Sequence, residues 1–173
     1  MLPIMCTRNL WRVVGGVGAL PARQPYVPAS TRLAAWCVRE VPTPEGLIGV
    51  GLEETTYLTV VFPIAPLPNF VPLFATAVGE ALLDLGVSPV ATNSEVAAII
   101  AGGQLVRNDN RSLLGSANDV VFHTQVYLED EPVSLHAMRV AQRKLNEMPH
   151  VKREPAFPEV AIQLLFAEGA SAH

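Results

Sequence analysis

Apolar residues come in short runs along the first third of the chain and at helical intervals along the rest. Residues 2–7 make a short apolar strand, and residues 9–14 a brief helix stopped by the glycines of "GGVG". Residues 33–41 predict a strand in which Trp36 and Cys37, being neighbours, face opposite sides. Residues 47–52 predict another. Residues 55–63, "TTYLTVVFP", are dense in β-branched and aromatic side chains and predict the clearest strand, placed at the centre of the sheet. Short turns between these runs suggest an antiparallel meander.

Residues 68–85 predict a helix with Asn69 as cap and Pro72 in the first turn. Its apolar positions, from Phe70 and Phe74 to Leu82 and Leu85, keep the helical period, and Gly86 ends it. A second helix spans 92–101, capped by Thr92 or Asn93. Residues 104–107 are a short strand or an extended link. Further helices are expected from Asn110 or Ser112 to about residue 127, over 133–148 and over 158–168. Strands first and helices afterwards predict an α+β fold: an antiparallel sheet of three to five strands with four or five helices packed on one face. No internal repeat or linker divides the chain. Residues 1–173 therefore read as a single α+β domain, with a proline- and glycine-rich loop at 15–31.

The chain has 173 residues, half of them hydrophobic, enough to bury a core without disulfide or metal. Its formal charge of −4 gives no general attraction for nucleic acid or an anionic membrane. Cys6 and Cys37 sit among apolar residues and read as buried small hydrophobes. The start lacks the pattern of a signal peptide. The longest apolar stretch, 60–78, carries four prolines and cannot run as one membrane helix. These features predict a cytoplasmic protein that does not enter membranes. No metal and no cofactor are expected. The glycines at 14–18 and 49–51 lack the spacing of a phosphate loop. The histidines His123, His136, His150 and His173 are not spaced to bind metal with one another. A zinc site would have to join Asp119 and His123 to a distant ligand such as His150.

The densest polar segment is "NDNRSLLGSANDVVFH", residues 108–123. Part of it is local structure: turn-forming "NDN", a cap, a small residue at Gly115, and an Asp119–His123 pair one helical turn apart. The rest is a candidate ligand or partner site: Arg111, Ser112, Asn118, Asp119 and His123. Arg111 can grip a carboxylate or phosphate with two donors, and His123 oriented by Asp119 can act as a base. A second candidate is a basic face made of Arg139, Arg143, Lys144, Lys152 and Arg153. It has no aromatic residues interleaved for base stacking, which disfavours nucleic acid. Glu80 and Asp84 read as a like-charged exposed pair without a basic partner nearby in sequence.

Several strings resemble an uncharacterised bacterial family, a domain of unknown function. Its members open with "C-T-x-x-L", here Cys6, Thr7 and Leu10, and carry a "VVFP"-like strand end. An "N-R-S-x-L-G-S-x-N-D" motif follows, here Asn110, Arg111, Ser112, Leu114, Gly115, Ser116, Asn118 and Asp119. Then comes "L-N-x-x-P", here Leu145, Asn146 and Pro149. The resemblance spans roughly residues 4–165. It implies a shared fold and transfers no catalytic role. The expected function is a non-enzymatic binding or interaction domain for a protein or small molecule not identified by the sequence. The alternatives are a small hydrolase or nuclease-like enzyme using Arg111, Asp119 and His123, and weak nucleic-acid binding through residues 139–153.

Overall fold

A computed structural model describes residues 1–24, 31–129, 132–151 and 153–167. Five strands, β1 (Leu2–Cys6), β2 (Trp36–Thr43), β3 (Gly46–Glu53), β4 (Thr59–Pro63) and β5 (Gly103–Arg107), form one sheet in the order β4-β3-β2-β1-β5. Six helices are present among the described residues: α1 (Arg8–Val13), α2 (Phe70–Asp84), α3 (Pro89–Gly102), α4 (Arg111–Leu128), α5 (Leu135–Asn146) and α6 (Pro158–Ala167).

The expected antiparallel sheet with four or five helices on one face is not what forms. The sheet is mixed. β2, β3 and β4 make the antiparallel meander, but β1 lies between β2 and β5 and runs parallel to both. The six helices among the described residues cover both faces. Leu2, Ile4, Cys6, Trp36, Val38, Val60 and Phe62 pack with α1, α2, α3 and α6 on one side. Met5, Cys37, Val41, Ile48, Val50 and Val61 pack with α4 and α5 on the other. The cause is visible in the strands: "IMC", "WCV" and "VVF" are apolar at consecutive positions, so both faces must be buried. Trp36 and Cys37 do face opposite sides.

The strand expected at the centre lies at the edge. Only Thr59–Pro63 of it is extended, because residues 54–58 form a turn in which Tyr57 takes a left-handed φ of 61°. An open edge invites pairing with another chain, and α5 covers this one. The Asn146 side chain accepts from the Thr59 N–H at 2.8 Å and donates to the Thr59 carbonyl at 2.8 Å. Gln142 Oε1 accepts from the Val61 N–H at 2.9 Å. Two amide side chains thus take the place of a neighbouring strand.

The helix starts follow from short polar caps. Thr7 caps α1, Asn110 caps α4 and Ser134 caps α5. Asn69 stands at the cap position of α2 but makes no side-chain cap bond. α3 begins a turn earlier than its periodicity suggests, with Ser88 as cap and Pro89 as first residue. Thr92, expected as a cap, is a buried interior position instead. On β3, Gly49 and Gly51 leave room for rings. A Cβ on Gly49 would come within 2.5 Å of Phe62, and one on Gly51 within 2.9 Å of Phe74. Phe62, Phe70, Phe74 and Trp36 then pack edge to face.

Candidate functional site

Asn110 fixes the start of α4 from three directions. Its carbonyl side-chain oxygen accepts from the Leu113 N–H at 3.0 Å. Its amide donates to Glu54 Oε1 at 2.8 Å, and its own N–H donates to Asn108 Oδ1 at 2.9 Å. Glu54 also pairs with Arg23 at 3.2 Å, and Asn108 donates to Cys37 Sγ at 3.0 Å. The "NDN" turn is therefore structural, as its turn chemistry suggested.

From this start, residues Ser116, Asp119, Val120 and His123 share one face of the helix. They line a cavity of about 340 Å³ closed on the other side by Tyr57, by Leu145 and Met148, and by the segment carrying Pro149, His150, Val151 and Arg153. Phe122 also lines it and stands largely exposed. Tyr57, Val120 and Leu145 are buried and belong to the depth of the cavity. Tyr57 Oη lies 3.4 Å from Ser116 Oγ. The Arg153 guanidinium lies over the Tyr57 ring at 4.3 Å and donates through one amino nitrogen to the Glu54 carbonyl at 3.0 Å. The His150 ring packs against Tyr57 with centroids 4.7 Å apart. Burial, and then the Arg153 charge, hold the His150 imidazole below its ordinary pKa, so it is neutral at pH 7. Its Nε2 is buried without a hydrogen-bond partner among the described residues.

The five residues expected to act together do not converge. Asp119 and His123 reach the cavity; Arg111, Ser112 and Asn118 do not line it. Arg111 and Ser112 stand exposed on the first turn of α4. Asn118 accepts a hydrogen bond from Arg39 of β2. Asp119 and His123 make no hydrogen bond to each other; His123 stacks instead near Tyr127, 6.4 Å between centroids. Asp119, His123 and His150 share the cavity, yet among the described residues no three such side chains stand close enough to hold a metal ion.

The second candidate separates into contacts. Arg143 grips Asp84 with bonds of 3.0 and 3.2 Å, and Arg139 reaches Asp84 at 3.5 Å and Glu80 at 3.9 Å. The acidic pair that lacked a partner in sequence finds one in space, and Asp84 is held below the usual carboxylate pKa chiefly by the Arg143 hydrogen bonds. Lys144 lies over the Tyr127 ring at 5.2 Å, Arg153 belongs to the cavity, and Lys152 falls outside the described residues.

Tyr57 is not singled out by the sequence at all, and His150 only as a distant companion of Asp119 and His123. They come from a turn and a post-helical loop far apart along the chain. The only local sign is an aromatic residue next to a strand start, and a histidine beside Pro149 after a helix end.

No helix among the described residues is long and apolar enough to cross a membrane. A comparison with curated proteins and one with solved structures each found no match. The sequence does match a family described as "Domain of unknown function (DUF6933)" over residues 4–160, and with most of its length covered the chain belongs to that family.

Proposed function

We propose that the protein is a non-enzymatic binding domain, and that it holds a small molecule in the cavity between α4 and the residues Met148 to Val151 and Arg153. One observation carries this reading: a concave site with a few converging polar groups is built around a strained tyrosine. Left-handed backbone at a bulky residue is uncommon and costs on the order of 1–3 kcal/mol. Here it turns the Tyr57 ring under Arg153 and beside His150. A volume of about 340 Å³ lies in the range of small-molecule pockets. The "N-R-S-x-L-G-S-x-N-D" string is, in this reading, part of what the family shares. Asn110 anchors the helix, Ser116 meets Tyr57, Asn118 meets Arg39, and Asp119 faces the cavity. The two free cysteines, both buried, fit a cytoplasmic setting.

A hydrolytic reading would need Arg111 beside Asp119 and His123. Eight residues along α4 separate Arg111 from Asp119, about 12 Å of axial rise, and Arg111 is not in the cavity wall.

The test is occlusion. Ser116→Trp places an indole in the cavity from a half-exposed position of α4. In titrations of the neutral probes indole and phenylpropanol, followed at the Met148 methyl by NMR, wild type should show saturable shifts and Ser116→Trp none. Arg111→Ala should bind as wild type does. Loss of binding in Arg111→Ala with Ser116→Trp unaffected would place the site elsewhere.

A further inference from the structure

The walls of the cavity are not evenly charged. Arg153, His150 and His123 are the nitrogen-bearing side chains among its lining residues, and Asp119 is the one carboxylate among them. The guanidinium of Arg153 is held over Tyr57, with one amino nitrogen bonded to the Glu54 carbonyl. The rest of its fork makes no other hydrogen bond among the described residues. A guanidinium fixed in place loses less freedom on gripping a planar anion, because its orientation is already set. The remaining surface is apolar, from Val120, Leu145 and Met148 inward to Phe122 and Val151 at the rim.

Resting on the cavity reading above, we infer that the ligand is an organic monocarboxylate with a compact apolar body, its carboxylate on Arg153 and His150 and its hydrocarbon between α4 and Met148. A single negative charge matches Arg153, the one permanent cation among the described residues of the wall. The Asp119 carboxylate opposes a dianion such as a phosphate monoester. The same arrangement explains the otherwise costly placement of His150. Its imidazole, facing Arg153 and Tyr57 and lining one cavity with Asp119 and His123, sits below its ordinary pKa through burial and the Arg153 charge. A carboxylate beside it favours the imidazolium and raises that pKa again. Binding is therefore coupled to proton uptake and strengthens as pH falls from about 8 to about 6.

A matched series separates this inference from the reading beneath it: phenylpropanoate, phenylpropanol and phenylpropylamine have one body and three head groups. In the full chain, all three titrations are followed at the Met148 methyl. The carboxylate should bind roughly tenfold or more tighter than the alcohol, and the amine weakest. Arg153→Met, which keeps an apolar stem over Tyr57, should reduce the ratio of carboxylate to alcohol affinity to about one. Equal affinities across the series, or a preference for the amine, would overturn the carboxylate while leaving a binding cavity in place. No saturable shift with any of the three would overturn the cavity reading and this inference together. Should Arg153→Met not fold, the wild-type ratio of carboxylate to alcohol, and its rise at lower pH, decide the matter alone.

Discussion

At the scale of single residues, the buried glutamates Glu53 and Glu95 place ionisable groups where solvent cannot reach. Glu53 accepts from the Ala34 N–H at 2.7 Å, from the Thr55 N–H at 2.9 Å, and from both the N–H and hydroxyl of Thr56. It holds the turn that presents Tyr57. Glu95 accepts from the Arg32 N–H at 2.8 Å, but its Oε2 is buried and unpartnered among the described residues. Burial raises the pKa of both carboxyls. For Glu95 the N–H groups of Arg32 and Leu33 and the Arg32 charge work against the rise, and the charge of Glu53 adds to it. A raised folded pKa means the native state keeps the proton longer than the unfolded chain does. The stabilising contribution is complete below the ordinary carboxylate range and is lost as pH rises through the folded value. The urea midpoint of wild type should therefore rise from about pH 7 to about pH 5. Glu95→Gln, neutral at every pH, should have a higher midpoint than wild type at pH 7 and a flatter profile. An unchanged slope in the variant would assign the pH dependence elsewhere.

Among elements, α5 is the one whose loss would reach furthest, since it both walls the cavity and closes the edge of β4. Asn146→Leu leaves the Thr59 N–H and carbonyl without partners, at about 1–3 kcal/mol for each buried group orphaned. Hydrogen exchange gives the sharper reading. The amide of Thr59 should exchange faster, and that of Val61, held by Gln142, should keep its protection. Most elements were legible from pattern alone. The helical periods of residues 70–84 and 135–146 and the β-branched runs of β2 and β4 are strong local signals. What local signals could not carry was rank within the sheet. "TTYLTVVFP" is as apolar as a central strand because its far side is sealed by a helix, and apolarity records burial rather than the agent of burial. The start of α3 was displaced for a related reason. Thr92 looks like a cap, yet Ser88 with Pro89 behind it sets an earlier start and leaves Thr92 inside.

For the whole molecule, the parallel pairing of β1 decides the architecture, and nothing within residues 2–6 announces it. Five apolar residues fit any sheet position; only the partners, residues 36–38 and 103–107, define this one. The candidate site divides in the same way. Asp119 and His123 were legible because they share a helix face, whereas Tyr57, His150 and Arg153 meet them through tertiary packing alone. Two residues of the basic face, Arg139 and Arg143, are paired in space with Asp84, which clasps α2 on one side of the sheet to α5 on the other. Asp84→Asn should uncover that face. The variant should gain retention on a heparin column that disappears with added salt, and identical elution of the two proteins would show that the arginines are held by more than this carboxylate. The position of β1 also sets an order of assembly. Its two neighbours are made at very different times during synthesis, one within the first forty or so residues and the other only when residues 103–107 have emerged. Until then a strand in the middle of the finished sheet has a bare flank, the kind of surface that captures strands of other chains. The nascent polypeptide thus carries an open flank from the time β2 has emerged until residues 103–107 follow it, and that is the interval in which strand capture by another chain is to be expected.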